Sequence, residues 1–318
     1  MQSVSVIIAT NGKRPELLRT AVASIFEQTY TGPVEVLVVF DYVEIDPLTD
    51  VPVPENRSLR TILNTRPQGL AGGRNTGIEA AAGEILGFCD DDDYWLPTKL
   101  ADQLELWQRA PQAVAISSGI RVRSGGKDID RLAPARATFA NFLRSRITEI
   151  HPSAMLYRRS DLLGRVGLVD EDLPAAYGED YDLLLRATKF GDIYSVEKPL
   201  VLILWDRPSF FAGKWENMAA GLTYLLRKFP EFESAPKGLA RISGQIAFIH
   251  AALGNKKLAL DYARATLRRD PAQLRAWAAL PVALGLEPFC PAGCCQQDRP
   301  RPLTPWPFLP PLTATTGF

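Results

Sequence analysis

The sequence predicts an α/β fold, a doubly wound and mostly parallel sheet, followed by a small all-α helical region. Three observations carry this expectation. Short, continuous β-branched runs alternate with amphipathic helical stretches through the first two thirds of the chain, the pattern of βαβ units. Those runs are apolar throughout instead of alternating, as strands covered by helices on both faces are. Near residue 213 the strands stop and a train of short amphipathic helices begins. The expected division is an α/β domain over 1–212, a helical region over 213–287 and a Pro-rich tail over 288–318.

VSVIIAT (4–10) reads as a central strand because every position is small, apolar or β-branched until the polar end. ELLRTAVASIFEQ (16–28) places Leu17, Leu18, Ala21 and Ile25 on one helical stripe. VEVLVVF (34–40) and SLRTILN (58–64) read as the next two strands. GLAGGRNTGIEAAAG opens with loop glycines and continues as an alanine-rich helix closed by Gly83. EILGFC (84–89) is a fourth strand and PTKLADQLELWQRA (97–110) a further helix. Beyond it AVAISSGIRVRSGG suggests a hairpin, YGEDYDLLLRATKFG a helix beginning near an acidic cap, and YSVEKPLVLILW a late strand. In the helical region Leu239, Ile242, Ile246, Ile249 and Leu253 fall on one face. KKLALDYARATLRRDP resembles one tetratricopeptide unit. One or two such units are too few for a freestanding solenoid. They read as a cap on the first domain, with docking of a protein partner as the other reading. The stretch from Pro288 holds eight of the 25 prolines and three charged residues, and is expected to be disordered.

Composition narrows the function classes. The chain has 318 residues, with 36 basic against 36 acidic, so the formal net charge is zero. That balance argues against a general nucleic-acid binder or a strongly cationic membrane binder. No apolar run approaches the ~18 residues of a transmembrane helix. MQSVSVIIAT lacks the basic region of a signal peptide, so the cytoplasm is the expected compartment. Only two histidines, His151 and His250, occur, which excludes a multi-histidine metal centre. Cys89 falls in an apolar strand as a small hydrophobe, and Cys290, Cys294 and Cys295 match no common zinc spacing.

ILGFCDDDDYWLP (85–97) sets four consecutive aspartates at the end of a buried strand. Neighbouring carboxylates resist full ionisation unless positive charge sits among them. In an extended stretch Asp90 and Asp92 point one way, Asp91 and Asp93 the other. A hard divalent cation such as Mg²⁺ or Mn²⁺ suits a few carboxylate oxygens plus substrate phosphates. A solvated acidic turn capping the following helix is the alternative. A calcium EF-hand loop starting at Asp90 fails, because its sixth and twelfth positions are Trp95 and Ala101 instead of Gly and Glu. A phosphatase-type D-x-D fits poorly with Tyr94 and Trp95 following it. ATNGKRPELL lacks G-x-G-x-x-G after the first strand, and GLAGGRNTG lacks a P-loop Lys. Thr10, Asp41 and Asp90 all fall at strand ends, the rim where such sheets bind ligands.

In order, SVIIATNGKRPELLRTAVASIFEQTY, VEVLVVFD, GLAGGRNTGIEAAAGEILGFCDDDDYWLPTKL and YGEDYDLLLRA resemble nucleotide-sugar glycosyltransferases of family 2, over about residues 3–212. The resemblance implies a GT-A fold, Rossmann-like in its sheet, and a set of site residues. Thr10 and Arg14 would border the nucleotide, Asp41 would bond its base, usually uracil, and Arg74 and Asn75 would line its pocket. Asp90 and Asp91 would lie on the ribose side. Asp92 would be the direct ligand of Mn²⁺ or Mg²⁺, with Asp90 its companion. Asp180 would be the catalytic base with Glu179 beside it, while Asp182 reads as structural. Two departures stand out: LILWDRPS has no His after the late strand, so that either Asp206 substitutes as the third metal ligand or that contact is missing, and FDYVEID has no glycine after its aspartate. The implied partners are a nucleotide-sugar donor and a saccharide, lipid-linked or protein acceptor, at the inner membrane face where the acceptor is lipid-linked. His151 reads as a packed or loop-surface residue, with the acceptor side as its other reading. A metal-dependent phosphoryl-transfer enzyme and a non-catalytic adaptor are the rival functions.

Overall fold

The computed structural model describes residues 1–205 and 214–285. Asp206, Cys290, Cys294, Cys295 and the tail from 288 lie outside the described residues. β1 (Val4–Thr10), α1 (Pro15–Phe26), β2 (Val34–Phe40), β3 (Arg57–Leu63), α2 (Leu70–Ala80) and β4 (Ile85–Phe88) form the first half of the α/β unit. β5 (Tyr94–Trp95), α3 (Lys99–Arg109), the β6 (Ala115–Ser124) and β7 (Lys127–Arg131) hairpin, β8 (Arg136–Ala137) and α4 (Phe139–Arg144) follow. Next come β9 (Leu156–Arg158), α5 (Arg159–Leu162), α6 (Glu179–Ala187) and the long β10 (Ile193–Leu204). The helical region holds α7 (Trp215–Lys228), α8 (Pro236–Ala252), α9 (Lys256–Arg269) and α10 (Leu274–Ala283).

The strands form one sheet in the order β3-β2-β1-β4-β9-β6-β10-β5, with β7 on β6 and β8 on β10. β3, β2, β1 and β4 run parallel, β6 and β10 pair in parallel, and β9 enters antiparallel between the two groups. The chain leaves β1 toward β2 and β3, then crosses back to place β4 on β1's other side. The ends of β1 and β4 therefore flank the switch point, where open α/β sheets bind ligands. Successive β1 residues feed opposite cores: Val6 and Ile8 pack with α1 and α3, while Ile7 packs with α2 and the later helices.

Of the glycines of GLAGGRNTG, Gly69 stands in the loop before the helix and the others do not. α2 begins at Leu70, and Gly72, Gly73 and Gly77 lie within it; it ends at Ala80, before Gly83. A Cβ on Gly77 would come 2.4 Å from Ile7 Cγ2, and one on Gly72 would come 1.9 Å from the Pro67 carbonyl oxygen. Bare backbone at these positions lets α2 press onto β1 and the preceding loop. That approach buries Arg74 and Asn75 beneath the rim.

Leu225, Phe229, Phe232, Ile242 and Ile246 of the helical region share one buried cluster with Phe142, Leu143 and Tyr181 of the α/β unit. Each such side chain is worth about 1.5–3 kcal/mol when fully buried. α8, α9 and α10 close on one another through alanines, Ala247, Ala251, Ala259, Ala263, Ala276 and Ala279 among them. No helix among the described residues is long and apolar enough to cross a membrane.

Candidate active site

The aspartate run leaves β4 as a turn, not as the extended stretch that side-chain alternation requires. Burial still alternates: Asp91 and Asp93 are buried, while Asp90 and Asp92 are half-open. Each acid is partnered, and two of the partners are shared. Thr10, at the end of β1, donates its hydroxyl to Asp91 Oδ2 at 2.6 Å. Arg14 pairs with Asp91 at 3.0 Å and contacts Asp92 directly. Ser153 Oγ donates to Asp93 Oδ2 at 2.5 Å and accepts the Asp90 N–H at 3.1 Å. Burial pushes the Asp91 carboxyl up to about 6, against the pull of Thr10 and Arg14. Burial also drives Asp93 well above the ordinary carboxylate range.

Arg74 joins this cluster to the second acidic motif. Its guanidinium contacts Glu179 Oε1, donates to Asp90 Oδ1 at 2.8 Å and sits over the Phe88 ring. It is 3% exposed, so its charge stays inside the protein only because two carboxylates meet it. Burial works against the charged form, but Glu179, Asp90 and Asp180 outweigh it and hold Arg74 firmly protonated. Burial pushes the Glu179 carboxyl up to about 7, with Arg74 working against the shift. Its second oxygen is buried without a hydrogen-bond partner.

Gly178, at φ +90°, turns the chain into α6 so that Glu179 and Asp180 open the helix. The two acids face different sides. Asp180 accepts from Arg146 at 2.6 Å, and its side chain is 16% exposed against 6% for Glu179. Burial alone would raise the Asp180 carboxyl, but Arg146 and the Tyr181 N–H bring it below the usual range. Asp182 is fully buried between Arg186 and Lys228, in keeping with a structural role.

Thr10, Arg14, Asp90, Asp91 and Asp92 thus share one rim, and Arg74 ties Glu179 to it. Asp41 adjoins the rim: its N–H bonds the Thr10 carbonyl, while its carboxylate accepts from Asn64 and from the Gly69 N–H. Asn75 is not brought to the open side. Its amide is committed to Val169 and Glu171, so the structure makes it a clamp on the 169–171 loop. Among the described residues, the cluster whose ligand atoms lie within 4.8 Å of one another is Asp90, Asp93 and His151. His151 is half-buried with its Nδ1 3.6 Å from Asp93 Oδ2, and burial lowers its affinity for a proton. Composition passed over this grouping, because Asp93 and His151 are far apart in sequence and meet only when β9 inserts beside β4. The histidine in EIHPSA, one of two in the chain, was the available signal. Arg146 carried no signal at all.

A parallel sheet switching direction beside an acidic rim, with a second acidic pair opening a later helix, is the GT-A architecture. The model of glycosyl transferase family 2 matches residues 5–163, and the chain belongs to that family. It is 31% identical over 108 residues to the Escherichia coli UDP-Glc:alpha-D-GlcNAc-diphosphoundecaprenol beta-1,3-glucosyltransferase WfaP, covering 34% of this chain and 42% of that protein. A second Escherichia coli enzyme of the same description, WfgD, is 23% identical over 80% of this chain and 95% of its own length. Among solved structures, S. aureus TarS in complex with UDP-GlcNAc superposes with a TM-score of 0.58 at 16% identity, over 89% of this chain and 88% of TarS. The Pyrobaculum calidifontis mannosyltransferase PcManGT, in complex with GDP-Man and Mn²⁺, gives 0.55 at 20%, over 89% and 87%. Family membership separates the chain from the phosphoryl-transfer reading.

Proposed function

We propose that the protein is an inverting, metal-dependent glycosyltransferase that moves a sugar from a UDP-linked donor to an acceptor hydroxyl in polysaccharide or glycoconjugate assembly. The observation that carries this reading is the Arg74 bridge between Asp90 and Glu179. It holds a donor-side acidic cluster and a base-side acidic pair in one site.

The roles follow from exposure and partners. Thr10 and Arg14 fix Asp91 and Asp92 at the donor end, with Asp41 beside them for the base. Asp180 is the more open acid of its pair and is kept ionised by Arg146, so it can take the acceptor hydroxyl's proton as that oxygen attacks. The new bond forms at the anomeric carbon opposite the breaking bond to diphosphate, which inverts the centre. Asp90, half-open, with buried Asp93 and the His151 imidazole beside it, offers a donor set that fits Mn²⁺ or Mg²⁺. Asp92 and Asp90 would hold the ion, with Asp93 and His151 as near neighbours. When bound, a divalent cation supplies charge neutralisation for the departing diphosphate. Glu179 orients Arg74 and, through it, Asp90.

The test is a binding screen of nucleotide sugars with and without Mn²⁺. A UDP-sugar should bind, and more tightly with the metal. Absence of binding by every nucleotide sugar under both conditions would contradict the reading.

A further inference from the structure

A cavity of about 60 Å³ lies where the helical region meets the α/β unit, and no residue of the acidic rim lines it. Its polar wall is Arg146, Tyr181, Arg241 and Gln245, and its apolar wall is Leu222 and Leu225. No acid is among the lining side chains. At about 10–15 Å³ for each water, the space takes roughly four waters, or one small polar group in their place. The Arg146 side chain is 36% exposed, so that wall reaches solvent.

Donors outnumber acceptors here. Arg146 gives a bond to Asp180 at 2.6 Å, and its charge is met there. Arg241, half-buried, pairs with no carboxylate among the described residues. It donates to the Tyr181 hydroxyl at a long 3.3 Å, and its Nε is buried with no hydrogen-bond partner. One turn along α8, the Gln245 amide makes no hydrogen bond among the described residues. Burial, with the charge of Arg146 behind it, pulls the Arg241 guanidinium below its ordinary value, yet a guanidinium stays charged under such a pull. A buried N–H on a cation is costly to leave without an acceptor. The count of charges then selects the ligand. Asp180 already balances Arg146, so one positive charge is left to meet. A carboxylate carries one negative charge and two oxygens, which suits the side-on fork of a single arginine and leaves a lone pair for an amide N–H. A dianionic phosphate would leave a negative charge over in a half-buried site.

We propose that this cavity is a carboxylate-binding site, in which Arg241 pairs with the carboxylate and the Gln245 amide donates to it. Both donors come from α8, so the helical region holds a ligand as well as packing on the first unit. Arg146 lines the same cavity and holds Asp180, which puts the bound group one side chain away from that acid. None of the site's donors serves the donor rim, so the site stands independently of the transfer reading. Two sources offer such a group: a free small carboxylate, or an acidic sugar whose carboxylate enters while its ring stays outside.

Acetate and glucuronate are the probes, with glucose as the neutral control and chloride as the ionic one, all at matched ionic strength. Each is titrated by calorimetry into the full chain, alone and with UDP at saturation, and melting curves are recorded alongside. At least one carboxylate should bind and raise the melting temperature, glucose and chloride should do neither, and UDP should leave the binding unchanged. Equal affinities for the two probes assign the site to a free carboxylate; tighter binding of glucuronate assigns it to an acidic sugar. Arg241→Met should abolish the binding and melt no lower than the parent, since it removes a half-buried charge that no carboxylate of the described chain meets. Gln245→Leu keeps that charge and should weaken binding about tenfold, which keeps the test open if Arg241→Met fails to fold. Absence of binding by both carboxylates, displacement of them by UDP, or unchanged binding in the folded variants would each overturn the inference. Tighter binding of inorganic phosphate than of both carboxylates would overturn it as well.

Discussion

Arg74 shows how much of the site depends on single side chains. It is a buried cation whose two carboxylate partners come from different motifs, Asp90 after β4 and Glu179 at the start of α6. Removing it would leave buried Glu179 without a counter-charge, a cost of several kcal/mol. Asp92 is the sharper probe, because it is half-open and shares Arg14 with Asp91. Asp92→Asn should fold normally, with Arg14 retained by Asp91, and lose most of the Mn²⁺-dependent part of UDP affinity, about tenfold or more. UDP titrations with and without Mn²⁺ check this. An Asp92→Asn variant that responds to Mn²⁺ as the parent does would remove Asp92 from the metal site. The residues that sequence reading brought to the rim are those in a motif directly after a strand: Thr10, Arg14, Asp90, Asp91 and Asp92. Asn75 stands inside α2 instead, its amide turns inward, and nothing in GLAGGRNTG says which of Arg74 and Asn75 faces out.

At the scale of elements, the strands were legible because buried parallel strands are continuously apolar, and β1, β2 and β4 carry that signature plainly. The start of α2 was misread for a physical reason. Glycine usually breaks helices, but here its missing side chain permits contact with Ile7 and Pro67. The docking of α7 could not be read at all, since it depends on charges distant in sequence. Lys228 meets Asp170 at 2.5 Å and Asp182 at 2.7 Å, and Tyr224 donates to Asp170 at 2.9 Å. Burial would raise Asp170, but Lys228 and Tyr224 bring it below its ordinary value. An acid depressed in the fold stabilises it above its unfolded pKa, and that contribution is lost as pH falls through the folded value. Lys228→Met should therefore cost roughly 1–3 kcal/mol at neutral pH. The gap from the parent should begin to narrow below about pH 4, where Asp170 protonates in the unfolded chain, and go on closing as pH falls through its lower folded value. Melting curves of both proteins across pH 3–8 report it. A gap independent of pH would assign the loss to packing alone.

For the whole molecule, the helical region is joined to the α/β unit through a common core. Phe142, Leu143 and Tyr181 are buried with Leu225, Phe229 and Ile242. A chain ended at residue 213 would expose that face, and we expect it to bind a hydrophobic dye and lose its cooperative melting transition. A sharp transition at the parent's temperature would show the first unit to be self-sufficient. The helices' apolar spacing was visible in the sequence, but not which face of the sheet unit they cover. The central claim, transfer with Asp180 as base, is tested most directly by Asp180→Asn, which keeps volume and cannot accept the proton. Nucleotide affinity, melting temperature and transfer rate should be measured together on this variant and on Glu179→Gln. The account predicts that Asp180→Asn keeps donor affinity and melting temperature near the parent's and lowers transfer by roughly 10²–10⁴-fold, while Glu179→Gln, which strips one carboxylate from buried Arg74, melts lower and loses less of the transfer rate. Transfer at the parent's rate by Asp180→Asn, or parallel loss of affinity, stability and rate, would contradict it.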